Sequence, residues 1–270
     1  MKILDIRSPF DKEWQNRDPF TQVFELEGEE FRNVKNRRTF RIEVSGKGFF
    51  IKIHRGVGWK EIIKNLLQFK LPVTGADNEY RALEKLKTLG VPTMEIAAFG
   101  RRNFNPANRE SFLITEELTG VISLEDLAAQ GIEAGLKRKL IRALARSAGM
   151  MHRAGINHRD CYICHYLLKK SSVEQSLPLL YVIDLHRAQI RRKVPFRYQV
   201  KDVGGLCFSA FDLPLSKRDI WLFIREYSGR DVKKEWSENN HFWRAVYRNA
   251  RKLYFKEFKH FPAEDPFAGM

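Results

Sequence analysis

The chain has 270 residues and carries 48 Lys and Arg against 33 Asp and Glu, a net charge of +15 at pH 7. That length buries a full core in one large or two small domains, and the hydrophobic content, rich in Phe, excludes a disordered chain. The charge predicts an anionic partner, but no zinc-finger spacing, RNA-recognition signature or basic-zipper heptad is present, so nucleic acid is not expected. The start, Met1–Arg7, lacks the apolar core of a signal peptide and no run approaches membrane-spanning length, so the expected location is cytoplasmic.

Residues Phe31–Val34, Thr39–Ser45 and Phe49–His54 read as three strands, with Phe40, Ile42 and Val44 alternating with Arg41, Glu43 and Ser45 as in a half-buried sheet. Asn36-Arg37-Arg38 and Gly46-Lys47-Gly48 supply the turns. The third strand, Phe50-Ile51-Lys52-Ile53, looks like the V-A-I-K strand of protein kinases, and Lys52 is the candidate for the α- and β-phosphates. Its partner is expected in the helix that opens at Asp77 and closes near Gly90; Glu79 in the first turn is favoured and Glu84 is the rival. Between them, Trp59, Ile62, Ile63, Leu66 and Leu67 form one apolar face of a helix with Lys60 and Lys64 on the other side. Two readings stand: a helix on an anionic membrane surface, or one packed on its own lobe. Ser111–Glu116 reads as a strand leading to a hinge at Glu117-Leu118, where adenine is expected to bond to backbone around Glu116 and Leu118. No G-x-G-x-x-G covers the phosphates. Arg37 and Arg38 are the candidates to neutralise them directly.

Leu136, Leu140, Ile141, Leu144, Ala145, Ala148 and Met151 make one helical stripe that breaks near Gly155. The loop Ile156-Asn157-His158-Arg159-Asp160 follows, then short strands at Tyr166–Leu168 and Leu179–Ile183, ending on Asp184. Helix, loop, strand, strand, aspartate is the order in which kinase-like folds build a phosphoryl-transfer site: Asp160 faces the attacking hydroxyl and Asp184 holds Mg²⁺ against the phosphates of ATP. The competing reading, two ordinary loop carboxylates, leaves that order unexplained. His165 stands where protein kinases place a metal-binding asparagine, and can bind metal, contact a phosphate or brace the loop. Cys161, Cys164 and His165 spell C-x-x-C-H, but haem attachment needs export, and the remaining Cys207 is isolated, which argues against zinc. Lys201-Asp202-Val203 resembles the start of the helix whose aspartate supports the catalytic loop. From Lys217 onward the chain reads as helices, the last with Arg244, Arg248, Arg251, Lys252, Lys256 and Lys259 on one side. That side could face lipid head groups, an acidic protein such as acyl carrier protein, or solvent. The expected fold is α+β and bilobal, protein-kinase-like, with a sheet-rich amino lobe at residues 1–118 and a larger, mostly helical carboxyl lobe at 119–270.

The stretch Asn157–His165 and the stretch Val182–Gln189 together resemble the lipopolysaccharide core heptose(I) kinase family, as do Val57-Gly58-Trp59 through Leu71-Pro72-Val73 and Thr115–Leu118. The resemblance runs from about Asp18 to Ala210. It implies an ATP- and Mg²⁺-dependent kinase of the 4-hydroxyl of the first heptose of the inner core, attached to Kdo-lipid A and met at the cytoplasmic face of the inner membrane. It implies Asp160 as base or positioner, Asp184 as Mg²⁺ ligand and Lys52–Glu79 as the ion pair that arranges the phosphates. The substrate's carboxylates and phosphates give the basic balance a cause. A kinase of Kdo or of a second heptose, a protein (tyrosine) kinase and a non-catalytic adaptor on the same fold are the alternatives.

Overall fold

The structure, a computed structural model, describes residues 2–34, 36–67 and 74–262. Lys35, the Leu71-Pro72-Val73 stretch and the tail from Ala263 lie outside the described residues, as does the side chain of Leu66. The chain separates into two compact units. One holds the residues up to Glu84 with Met94–Thr119; the other holds Lys85–Thr93 with the residues from Gly120 onward.

The first unit is built on a six-stranded antiparallel sheet. Its elements are β1 (Ile3–Ile6), α1 (Phe10–Glu13), α2 (Pro19–Glu25), β2 (Glu29–Val34), β3 (Arg37–Val44), β4 (Lys47–His54), α3 (Gly58–Leu67), α4 (Asp77–Thr88, whose residues from Lys85 on count with the second unit), β5 (Ile96–Arg102) and β6 (Glu110–Glu116). The strand order is β1-β5-β6-β4-β3-β2. The alternation expected of Phe40 and Ile42 is realised, and both join Phe49, Ile51, Phe112 and Ile114 in the core. Phe10 of α1 and Phe20 of α2 close that core, their rings 5.1 Å from those of Phe49 and Phe112. Asp18 starts α2 by accepting the Thr21 N–H, with Pro19 in the first helical position, where its missing N–H costs nothing.

Two expected turns are shifted in the structure. Arg37 and Arg38 belong to β3, paired with His54 and Ile53, and are not turn residues. The β3–β4 hairpin turns on Ser45 and Gly46, whose φ values of 51° and 76° suit a two-residue loop, so Lys47 and Gly48 are already in β4. Helix α4 opens at Asp77 as expected, its first turn closed by the Tyr80 N–H donating to the Ala76 carbonyl.

The second unit is mostly helical. It contains β7 (Val121–Ser123), α5 (Leu124–Ala129), α6 (Ala134–Arg153), β8 (Ile156–Asn157), β9 (Tyr166–Lys169), β10 (Leu180–Val182), β11 (Gln189–Ile190), α7 (Phe196–Phe208), α8 (Lys217–Ser228) and α9 (Val232–Phe258). β10, β9 and β7 form a three-stranded antiparallel sheet, and β11 pairs with β8. α6 buries Leu140, Leu144, Ala145, Ala148 and Met151 of the stripe read from the sequence, with Leu136 and Ile141 half-buried at its edge. It stops at Gly155, where φ is +81° and a Cβ would stand 1.8 Å from the Arg191 carbonyl oxygen, so only glycine lets β8 and β11 close on each other. The longest helix, α9, is kinked at Asn239. Among the described residues no helix is long and apolar enough to cross a membrane.

Candidate functional site

The first unit supplies an ion pair. Lys52, on the central strand β4, donates to Glu79 Oε1 of α4 at 2.5 Å, with the lysine side chain 14% exposed and the glutamate 1%. Glu79 Oε2 is buried without a hydrogen-bond partner. The rival Glu84 instead meets Arg7 at 2.9 Å. Arg38 is engaged by Glu30, by the Leu26 carbonyl and by the Phe40 ring 4.2 Å below its guanidinium. Glu116 ends β6 with Lys47 3.9 Å away, and Leu118 follows it. The Glu117 N–H donates to the Gly48 carbonyl and its carboxylate accepts from Arg41, packed so tightly that a Cβ at position 48 would lie 1.8 Å from Glu117 Oε2.

In the second unit the loop after β8 carries Asp160, and the turn after β10 carries Asp184. Asp202 of α7, itself buried, clamps the loop: its Oδ2 accepts the His158 N–H at 2.6 Å and its Oδ1 accepts the Arg159 N–H at 2.9 Å. His152 Nε2–H donates to the same carboxylate at 3.2 Å, which leaves Nδ1 to accept the Tyr227 hydroxyl at 2.7 Å. The chain of bonds thus runs from α8 through α6 to α7 and ends on the loop. His158 is fully buried, and burial pushes its imidazole down towards the neutral form. Its Nε2–H donates to the Ile183 carbonyl at 2.9 Å, tying the loop to the residue before Asp184.

His165 joins the two aspartates. Its Nδ1–H donates to the Asp160 carbonyl at 2.7 Å, and its Nε2 stands 3.7 Å from Asp184 Oδ2. The Cys164 side chain, then the Asp160 carbonyl and the Asp184 carboxylate, raise its pKa to about 9 against the opposing effect of burial. His186 Nδ1–H donates to Asp184 Oδ1 at 2.6 Å. Asp184 has left-handed backbone, φ 58° and ψ 50°, a conformation that costs a non-glycine residue about 1–3 kcal/mol and is commonest at functional sites. The Asp160 carboxylate meets the Arg187 guanidinium at 2.5 Å, with its side chain 17% exposed. Arg187 was not singled out by sequence; it reaches Asp160 through the 3-10 turn Leu185–Arg187.

Asp184 supplies a hard carboxylate, and among the described residues no group of three or more His, Cys, Asp or Glu is arranged to hold a metal by itself. That donor set fits Mg²⁺, which takes one or two carboxylates and completes its shell with phosphates and water. The cysteines of the C-x-x-C-H stretch are free: Cys161 is buried, its thiol pushed up by burial and in contact with the Tyr166 hydroxyl at 3.3 Å. The same unit encloses an apolar cavity of about 190 Å³ lined by residues including Leu140, Leu144, Ile224, Trp236 and Trp243, with Lys137, Asp219 and Arg244 as its charged walls.

Comparison with known proteins identifies what this arrangement belongs to. The chain is 48% identical over 237 residues to lipopolysaccharide core heptose(I) kinase WaaP of Escherichia coli, covering 86% of this chain and 89% of that one. It is 46% identical over 256 residues to the WaaP of Pseudomonas aeruginosa, covering 93% and 96%. A solved structure of WaaP in complex with acyl carrier protein superposes with a TM-score of 0.81 at 39% identity, covering 93% of this chain and 99% of that one. The fold is accordingly α+β and kinase-like. The profile of the Lipopolysaccharide kinase (Kdo/WaaP) family matches residues 21–227, and with these relatives the chain belongs to that family.

Proposed function

We propose that this lipopolysaccharide core kinase transfers the γ-phosphoryl group of ATP to the 4-hydroxyl of the first heptose of the inner core. The observation that carries the reading is the His165 imidazole, which touches the Asp160 backbone and faces the Asp184 carboxylate. In this reading Asp160 accepts a hydrogen bond from the attacking hydroxyl and takes its proton as the new P–O bond forms, and ADP leaves. Asp184 holds Mg²⁺, which neutralises charge on the phosphates when bound. His165 braces the loop, and its Nε2 becomes a second ligand only when its proton is displaced. Lys52, fixed by Glu79, orients the α- and β-phosphates; Arg37 lies nearby on β3, and the backbone around Glu116 and Leu118 receives the adenine. Phosphoryl transfer needs no covalent intermediate with the protein, so positioning and charge carry the rate.

Acyl carrier protein is the proposed protein partner. It is acidic where this chain is strongly basic, and the apolar cavity suits an acyl chain. The basic surface also suits the anionic cytoplasmic face of the inner membrane, where the acceptor resides.

The test is mass spectrometry of heptosylated Kdo-lipid A after incubation with ATP and Mg²⁺: a gain of one phosphate on the first heptose is expected, and phosphate on Kdo, on a second heptose or on protein alone would replace this reading. Asp160→Asn should lower kcat by about 10²–10⁴-fold while Mg²⁺-ATP still binds. Asp184→Asn should lose Mg²⁺-dependent nucleotide binding, and unchanged affinity would remove Asp184 from the metal site.

A further inference from the structure

A guanidinium meets the Asp160 carboxylate, two imidazoles meet that of Asp184, and further guanidiniums lie along the chain after Arg187. Arg187 is paired with Asp160 Oδ1. Arg191 donates to Asn157 Oδ1 and to Gln189 Oε1 and stacks over the Tyr198 ring, 4.8 Å from its centroid. Arg197, in the first turn of α7, stacks on the same ring at 4.6 Å, and its Nη2–H donates to the Tyr198 hydroxyl at 3.0 Å.

Arg159 differs from these three. Its side chain has no hydrogen-bond or ion-pair partner among the described residues; its electrostatic neighbours are Arg187, Asp160, Tyr198 and Arg191. It is half-buried, and burial, followed by the Arg187 charge, pushes its guanidinium down. Its backbone is held left-handed at φ +77° while Asp202 accepts its N–H. That region is unfavourable for a non-glycine residue, because its Cβ crowds the following carbonyl oxygen. A cation left partly desolvated beside other cations is unfavourable too, and an arriving anion recovers that cost. The guanidinium fork suits a planar carboxylate or a phosphate because it offers two parallel N–H donors.

We propose that Arg159, with Arg187 and Arg191 as its charged neighbours, binds an anionic group of the acceptor, a carboxylate or phosphate close to the hydroxyl that Asp160 engages. The inference rests on the acceptor-side role given to Asp160 above. It assigns the cluster to the acceptor and not to the nucleotide because its contact is with Asp160, whereas the carboxylate of Asp184 is contacted by His165 and His186. A neutral sugar of the same shape would leave Arg159 unpaired, so the cluster selects for the charged inner core.

The experiment compares steady-state kinetics of the full chain on three acceptors: intact heptosylated Kdo-lipid A, the same molecule with its sugar-acid carboxylates reduced to alcohols, and the same molecule with its lipid A phosphates removed. On the intact acceptor, Arg159→Gln should raise the acceptor KM about tenfold or more, the loss expected of a hydrogen bond to a charged group, with the ATP KM unchanged. Arg159→Lys should restore part of it. If the carboxylate is the ligand, wild type on the reduced acceptor shows the same rise and Arg159→Gln adds nothing further; if the phosphate is the ligand, that pattern moves to the dephosphorylated acceptor. An equal loss for Arg159→Gln on all three acceptors, or a rise in the ATP KM, overturns the inference. The wild-type arms decide the matter even where a variant folds poorly, because indifference of wild type to both chemical changes also overturns it. Failure of wild type to phosphorylate any of the three while binding Mg²⁺-ATP sinks the functional reading and this inference together, an outcome distinct from the others.

Discussion

Lys52 and Glu79 make a pair in which one partner is almost wholly out of water, so each depends on the other. Removing one charge leaves the other buried and uncompensated, which typically costs about 3–5 kcal/mol, whereas removing both can be nearly neutral. Lys52→Met should therefore unfold at markedly lower denaturant concentration than wild type. The double variant Lys52→Met/Glu79→Leu should recover most of that stability without recovering nucleotide binding. A double variant no more stable than the single one would show that the pair does not bear on stability. The pairing of Lys52 with Glu79, and the convergence of Asp160 and Asp184 on His165, were legible from the order of elements along the chain. The contact of Arg187 with Asp160 and the unpaired state of the Arg159 side chain were not. The first depends on a left-handed Asp184 that turns the chain back on itself, and the second on the absence of a partner, which no pattern of letters encodes.

Helix α8 opens with a capping box. The Ser216 side chain accepts the Asp219 N–H, and the Asp219 carboxylate accepts the Ser216 N–H at 2.9 Å and meets Lys137 at 2.9 Å. Burial raises the Asp219 carboxyl, but the Ser216 N–H and Lys137 outweigh it and hold the group below its ordinary 3.8. A carboxylate with a depressed folded-state pKa contributes stability that is present above its unfolded pKa and is lost as pH falls through the folded one. Asp219→Asn should cost about 1 kcal/mol at pH 7, the usual worth of such a cap. The gap between variant and wild-type melting temperatures should close as the pH is lowered from 4 through the depressed value, and a gap that stays constant down to full protonation would exclude this role. At this scale the strands with strict alternation, β3 and β4, were read correctly to within two residues, as was the α6 stripe. β5 escaped because its first five residues are all buried, which erases the alternation that marks a half-exposed strand. β1 escaped because it is a four-residue edge whose partner, β5, lies more than ninety residues away, with Ile3 opposite Arg101.

Across the whole chain, the surplus of positive charge and the exposed apolar side chains of α3 bear on where the enzyme works. Of the face read on that helix, Ile62 is buried while Trp59, Ile63 and Leu67 are 54, 52 and 76% exposed, with Lys60 beside them. An amphipathic helix of that kind binds an anionic lipid surface through apolar insertion plus charge. The full chain should co-sediment with vesicles containing anionic lipid and not with neutral ones. Binding should weaken as salt rises from about 0.1 to 1 M, over which the screening length falls from about 10 to 3 Å. Trp59→Ser combined with Leu67→Ser should reduce the binding, and undiminished binding would move the contact to another surface. The division into a sheet-rich and a helical unit was legible from the change of periodicity along the chain. The nine residues Lys85–Thr93, which return to the second unit, were not, because membership there rests on contacts such as the Thr93 hydroxyl donating to the Val182 carbonyl at 2.6 Å.

The bonds that link Tyr227 through His152 to Asp202 also bear on genetics. Tyr227 lies sixty-seven positions beyond Asp160 in the chain, yet its hydroxyl is the far anchor of the polypeptide that carries it. Inactivating alleles gathered without regard to location should therefore include changes at 227 and 152, and Tyr227→Phe should yield a heat-conditional phenotype: normal growth of the host when cool, and a core lacking its phosphate when warm, while the purified protein still shows an intact circular-dichroism spectrum.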